Sequence, residues 1–359
     1  MEEHTDIGIY GYEFPPDALE MPASRKEEIR FNRLAYDRDP VVAFGIEQHI
    51  QFGSKHPQLT MPPAVSKEYS DCILDFYSTL GGQTKLFDTL LDAIREYLII
   101  GEAFLFVEED EVHPTPVEEN SKSVRLAYRL RPFLPSWLKR RLDEKLFTDS
   151  RPSYKGPDRI MLIPPEQVEL EFTGTDGKHC VFYRPNALKL EEYLADPFTP
   201  TDIKETLREE ERVELNTDPF KGSYAIHFAS KKSSYELHGR SLLQRCMRTI
   251  IYREKLRQVQ NELAASLTDA GVNEKLASLN DEWTNINREL AIGLGVDGLL
   301  FNEKHSIVPS LLRWQGNNAM RESLARIIET QVFLPIAMKK GFYELHNGVP
   351  YYLYPRISF

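Results

Sequence analysis

The run Gly293-Leu294-Gly295-Val296-Asp297-Gly298 has the spacing G-x-G-x-x-G, which in a dinucleotide site lets a pyrophosphate reach the backbone at a helix N-terminus. That chemistry requires the glycines to stand between a strand and a helix. Here they follow a helical run, Trp283 to Ile292, and no acidic residue sits in a fitting βαβ unit about 20 residues further on. The context predicts a helix C-cap and turn instead. His238-Gly239-Arg240-Ser241 places a histidine beside a serine, but without the G-x-S-x-G elbow that presents a nucleophile; Ser241 fits the start of a helix. The nine histidines never fall in H-E-x-x-H or H-x-x-x-H spacing, so the spacing supports no metal site. No G-x-x-x-x-G-K-S/T loop is present, which excludes an ATP-driven motor of the P-loop type. Acidic pairs such as Glu108 and Glu109 stand in turn-like contexts and are expected to be solvated surface. The chain is therefore expected to be no enzyme, and to need neither metal nor cofactor.

The elements that would hold these residues are mixed. Asp39-Pro40 sets up a helix, with Asp39 as N-cap and Pro40 at the first helical position. Arg25 to Leu34, Ser66 to Leu80 and Thr84 to Ile99 read as helices, the last with Leu86, Leu90, Ile94 and Leu98 at steps of four. Gly101 breaks it, and Ala103 to Val107 leads into strands. Ile160 to Ile163, Val168 to Phe172 and His179 to Tyr183 read as short strands, with a turn at residues 174–177. Tyr224, Ile226 and Phe228 alternate with Ala225, His227 and Ala229 as a strand, after which Gly239, Arg240 and Ser241 open a long helix. Val272 to Ile292, Trp314 to Lys339 and a terminal strand from Tyr351 to Phe359 complete an α+β chain.

Composition adds bounds. With 359 residues, 41% hydrophobic and 28% charged, the chain is ordinary globular material of roughly two domains. A formal net charge of −11 argues against a simple nucleic-acid binder, which carries a basic footprint. Cys72, Cys180 and Cys246 are far apart, so neither a disulfide framework nor a zinc site is expected. The opening MEEHTDIGIY lacks an apolar core, so no secretory signal is expected. The apolar run Tyr97 to Val107 is interrupted by Glu102 and is far shorter than the ~20 residues of a membrane span. Charge is segregated. Acids outnumber bases ten to four between Ala187 and Asp218, whereas bases outnumber acids six to two between Arg240 and Glu262. Such blocks suit either solvated faces or complementary faces on neighbouring copies.

The motifs Tyr36–Val42, Gly101–Phe104, Ile163–Val168, His227 to Arg253, Glu289–Val296, Arg321–Phe342 and Tyr354–Phe359 stand in an order that resembles the portal proteins of tailed bacteriophages. Tyr36-Asp37-Arg38-Asp39-Pro40-Val41-Val42 looks like the opening of the portal wing, and Gly101-Glu102-Ala103-Phe104 like the step after its second helix. Ile163-Pro164-Pro165-Glu166-Gln167-Val168 is similar to a strand entry of that domain. His227, Gly239, Ser241 and Tyr252-Arg253 match the passage from wing to stem, and Glu289 to Val296 the "L-a-x-x-L-G-V" element that accounts for the glycine motif. Arg321 to Phe342, with Pro335, resembles the kinked helix near the tunnel loop, and Tyr354 to Phe359 the strand before the crown.

The resemblance implies a portal-type fold: an arm over residues 1–35, a mixed wing over 36–232 with an acidic insertion at 187–218, stem helices over 233–296, a wing return with the tunnel-loop helix over 297–345, and a strand over 346–359 leading to a crown. Only about thirty residues separate Gln260 from Leu290, so the clip between the stem helices is reduced or missing, and a crown would begin where this chain stops. The implied subunit does no covalent chemistry. It joins a homo-oligomeric ring, usually a dodecamer, at one capsid vertex of the virion, after synthesis in the host bacterial cytoplasm. The implied partners are the major capsid protein, the terminase large subunit, head–tail adaptor or neck proteins, and double-stranded DNA that passes during packaging and ejection without sequence reading. No membrane is involved. DNA carries one negative charge per ~1.7 Å of axis, so a strongly basic channel would clamp it; an acidic subunit with a few basic stem positions is compatible with transport. Arg245, Arg248, Arg253 and Arg257 are expected to line the channel or bridge subunits. Leu243, Met247, Ile250, Leu256, Val259 and Leu263 are expected to pack on Leu276, Leu279, Trp283 and Ile286. Another ring-forming neck or baseplate component, or a nucleic-acid-processing enzyme with an unrecognised site, are the alternative readings.

Overall fold

Asp39 ends one helix and starts the next. Its N–H donates to Ala35 O at 3.0 Å, closing α1 (Arg25–Arg38), while its Oδ1 accepts from the backbone N–H of Val41 at 2.9 Å and Val42 at 3.2 Å, opening α2 (Pro40–Gly53). The expected N-cap is present, and Pro40 occupies a position whose missing N–H costs no intrahelical bond. At the other end of α1, Ser24 Oγ accepts from Glu27 N–H. The computed structural model describes residues 14–53, 58–62, 66–109, 154–173, 178–195, 201–230, 236–265, 271–296, 322–346 and 349–358. These carry both helices and strands, an α+β chain. The turn at 174–177 and the start of the return helix at Trp314 lie outside the described residues, as does 125–141, whose sequence is rich in arginine and lysine. Among the described residues no helix is long and apolar enough to cross a membrane.

The chain divides into two units, the first built from residues 1–53, 94–103 and 229–319. Here Val42, Ile46 and Ile50 bury the apolar stripe of α2. Two long helices follow later, α7 (Met247–Ala265) and α8 (Gly271–Leu294). They run antiparallel, as Thr249 bonds Glu289, Tyr252 bonds Glu282, and Gln260 Nε2 donates to Leu279 O at 3.3 Å. The first long helix does not open at Gly239–Ser241 as the sequence suggested. A 3-10 turn at Leu243–Arg245 intervenes, with Ser241 Oγ accepting from Gln244 N–H at 2.9 Å. Ser241 thus stands one residue ahead of the N-cap of this turn, Leu242, and bonds into it from there.

The second unit comprises residues 54–93, 104–228 and 320–359. Helix α3 (Lys67–Thr84) stops where Lys85 turns left-handed, and α4 (Leu86–Ile99) begins at once. The strands β2 (Glu102–Glu108), β3 (Arg159–Ile163) and β7 (Tyr224–Ala229) form a sheet in the order β3-β2-β7. A second sheet runs β4-β5-β6, from β4 (Val168–Thr173), β5 (Lys178–Tyr183) and β6 (Val213–Leu215). The acidic insertion is helical in α5 (Ala187–Ala195) and α6 (Thr201–Glu210), but its end pairs as β6, with Leu215 opposite Val181. Strand β1 (Gln58–Thr60) pairs antiparallel with β10 (Arg356–Ser358), and β8 (Tyr343–His346) with β9 (Val349–Tyr352). The single terminal strand expected over Tyr351 to Phe359 is thus two strands on different partners, because Pro355 cannot donate to a ladder.

The helix that contains Pro335 is irregular just before that residue. Proline lacks the N–H that would bond the carbonyl four residues earlier, which here is Gln331. A π-helical turn at Glu329–Phe333 precedes α9 (Leu334–Lys340), and Tyr224 Oη donates to Gln331 O at 3.2 Å. Tyr77 Oη donates to Phe333 O at 2.7 Å in the same turn. Side-chain hydroxyls from elsewhere in the unit thereby bond the irregular backbone.

Candidate functional site

Two motifs far apart in sequence meet in the first unit. Gly101 has φ +93, and a Cβ there would lie 2.5 Å from the backbone of Arg240 and Ser241, so only glycine fits. The segments are laced by Ser230 N to Gly101 O at 2.8 Å, Arg240 N to Ser230 O at 2.9 Å and Leu242 N to Leu98 O at 3.0 Å. Beneath them lies the buried carboxylate of Glu102, which meets His238 Nδ1 at 3.0 Å and Arg25 Nη2 at 2.7 Å. Gly239 N–H points at its other oxygen, at 3.4 Å. Asn32 Nδ2 donates to Ser241 Oγ at 3.2 Å. His238 therefore turns to Glu102, and Ser241 to Asn32 and Gln244. The neighbouring histidine and serine are each engaged as parts of a junction, and the geometry forms no nucleophile–base pair between them. Sequence singled out the glycines and Ser241. It missed Arg25 and Asn32, whose partners lie 77 and 209 residues away.

The glycine motif is a helix end. Gly295 N donates to Ile292 O at 3.0 Å and Val296 N to Ala291 O at 2.8 Å, with Gly295 at φ +74. That is the Schellman pattern, with the glycine in the left-handed position. At Gly293, two residues earlier, a Cβ would come 2.5 Å from Cys246 Sγ. Asp297 and Gly298 lie outside the described residues.

The four arginines separate into different roles. Arg245 and Arg248 are exposed. Arg257 is half-buried and pairs with the buried carboxylate of Glu254 at 2.7 Å. Arg253 is 3% exposed; its Nη1 lies 2.8 Å from the Asp39 carboxylate, and its guanidinium lies 5.2 Å from the Trp283 ring centroid. The expectation that Arg253 faces a channel or a neighbouring copy is corrected, since its charge is neutralised within the chain. A planar guanidinium suits this position, combining an ion pair with a ring contact. Alternation along α7 alone could not reveal it, because Asp39 is 214 residues away.

The expected helix seam is formed in part. Leu243, Met247, Ile250 and Leu256 are buried, as is Ile286 across the hairpin, while Trp283 and Leu279 are half-buried. Val259 is 44% exposed and stands outside the seam. It follows Arg248, Tyr252 and Lys255 along an exposed stripe, at the spacing of one helix face. The side chains of Leu263 and Leu276 lie outside the described residues.

A buried polar cluster in the second unit contradicts the reading of Glu109 as solvated surface. Glu109 is 8% exposed and is ion-paired to Lys339, itself 1% exposed. Tyr154 Oη donates to Glu109 Oε1 at 3.0 Å, and Ser223 Oγ accepts from Glu109 N at 2.9 Å. Burial pushes the Lys339 ammonium below its ordinary range, opposed by Glu109; burial and the same carboxylate push the Tyr154 hydroxyl well up. A charge this deep persists only when paired and hydrogen-bonded. Among the described residues no group of three or more His, Cys, Asp or Glu could hold a metal ion.

No protein-family model and no curated protein matches the sequence. The fold and site define an α+β protein with a long antiparallel helix pair and a glycine-sealed junction.

Proposed function

We propose that the chain is a subunit of a ring-shaped phage portal, a passive conduit for DNA and a platform for packaging and tail proteins. One observation carries the reading: the paired helices α7 and α8 leave exposed faces of unlike character. The α7 stripe of Arg248, Tyr252, Lys255 and Val259 is basic with an aromatic and an aliphatic member; on α8, Asp281 and Glu289 are exposed beside Arg288 and Ile292. Unlike faces on one rigid element favour head-to-tail contacts, which close into rings when the rotation allows. The order of motifs resembling wing, stem and return supports the same reading. With Arg253 internally paired, the inter-subunit or DNA-facing positions of this proposal become Arg245 and Arg248.

The proposed ring would hold the implied portal partners: the capsid shell, terminase, neck proteins and non-specifically contacted DNA. Electron microscopy and light scattering on the purified chain test it. A closed ring is expected, and Arg248→Glu with Lys255→Glu should lower ring yield at unchanged melting temperature. A strict monomer at micromolar concentration overturns the proposal. Terminase binding by the ring distinguishes a portal from a neck or baseplate ring.

A further inference from the structure

His179 of β5 and His227 of β7 are 48 residues apart in sequence, yet His179 Nε2 lies 3.2 Å from His227 Nδ1. Their ring centroids are 5.3 Å apart, with planes at 81°. His227 is held flat against Phe104 of β2, with centroids 4.6 Å apart and planes 8° from parallel. One of the two rings thus has its orientation set by packing before anything binds. Both border a cavity of about 660 Å³ whose other walls include Thr217, Thr330 and Gln331.

Neutral imidazole binds borderline divalent cations through either ring nitrogen. With zinc–nitrogen bonds of about 2.0–2.1 Å, two nitrogens on a tetrahedral ion stand about 3.3 Å apart. The observed separation is within about 0.2 Å of that bite, the tolerance expected of a preformed site. The same separation also suits a shared hydrogen, N–H···N, in which one ring donates and the other accepts. The two uses are compatible in sequence. A cation would displace the bridging hydrogen to the outer nitrogen of its own ring, a tautomer change with no net proton release from the neutral pair.

We propose that His179 and His227 form a two-imidazole chelate for zinc(II) or a similar borderline cation, its remaining positions open to the cavity and filled by water. This assignment does not depend on whether the chain closes a ring. Spacing along the sequence could not reveal it, because the two sheets, not one helix, bring the ligands together. Two protein nitrogens make a weaker site than the three or four of a resident zinc centre. Copper(II) should bind more tightly than zinc(II), and magnesium should not compete, since it prefers oxygen ligands.

The test is a competition titration of the full chain, stripped with EDTA, against a chromophoric zinc indicator. One equivalent of zinc should bind. His179→Gln and His227→Gln should each weaken binding by at least about tenfold, while His49→Gln, in the other unit, should leave it unchanged. A second measurement uses the unaltered chain and so does not depend on the variants folding. Zinc should protect both His179 and His227 from diethyl pyrocarbonate, read by peptide mass spectrometry. Absence of zinc uptake, equal affinity in the Gln variants, or equal labelling with and without zinc overturns the proposal and leaves the pair as a hydrogen-bonded contact between sheets.

Discussion

Replacing Asp39 with Asn separates charge from capping. Asparagine caps a helix about as well as aspartate, so the bonds from Val41 and Val42 can persist, while Arg253 loses its counter-charge. Arg253 is 3% exposed and Asp39 1% exposed, so the guanidinium cannot reach water without moving the helix. Breaking such a pair by removing one partner costs about 3–5 kcal/mol. The Trp283 contact is present before and after the substitution and so cancels, while the asparagine oxygen can still accept a hydrogen bond, which holds the loss to the low end of that range. A net loss of about 3 kcal/mol is a large share of a typical domain stability of about 5–15 kcal/mol. With a urea slope of about 2–3 kcal/mol per molar, the midpoint should fall by about 1 M. The measurement is urea unfolding followed by Trp283 fluorescence, with a Trp283-only background so that the signal reports the first unit. Asp39→Ala should lose about 1 kcal/mol more through the cap. Adding Arg253→Met to Asp39→Asn should recover much of the loss, since no buried charge is then left unpaired. A midpoint for Asp39→Asn within about 0.2 M of the unaltered chain would refute the reasoning and show that the pair is solvated.

Three further outcomes follow from the same geometry. Iodoacetamide at neutral pH should label exposed Cys72 and spare Cys246, which is buried and whose thiol is pushed up to about 11 by that burial; equal labelling in intact protein would contradict it. The sign for stability follows: below pH 9 the Cys246 contribution is fully present, and it is lost as pH rises toward 11, because the unfolded thiol ionises first. Gly101→Ala should destabilise the first unit by about 1–3 kcal/mol, from a strained φ and a clash with rigid backbone, and a melting temperature equal to the parent would count against it. Lys339→Met should cost the second unit about 3–5 kcal/mol by stranding Glu109, with Glu109→Gln added to Lys339→Met recovering part of it in a thermal melt.

Local signals were readable from the sequence where the partners are close in the chain. Asp39-Pro40 and the glycine after α8 depend on bonds within a few residues, and both took the expected form; the strand at Tyr224–Ala229 was legible from its alternation alone, although its neighbour β2 is more than 100 residues away. The helix α7 starts later than Ser241 because a serine hydroxyl that accepts a backbone N–H three residues on serves a 3-10 turn as well as an α-helix. The terminal strand was misread because alternation near Tyr351 does not specify which partner a strand pairs with. Arg253 and Glu109 were misassigned for a deeper reason. A charged residue is exposed by default, and only a distant counter-charge, Asp39 or Lys339, reverses that default. The His179–His227 pair was invisible on the same ground, as the two strands that bring it together belong to different sheets.

The contact between Glu109 and Tyr154 couples two elements that are distant in the chain. Glu109 is held by Lys339 and Ser223, Tyr154 is held through its carbonyl by Lys340 Nζ at 2.6 Å, and the two bond each other at 3.0 Å. The end of β2 and the residue that leads towards β3 are thus tied to each other and to α9 by side chains. Loss of any one of these bonds therefore loosens β2 and α9 together, and hydrogen exchange at the two should report one opening event.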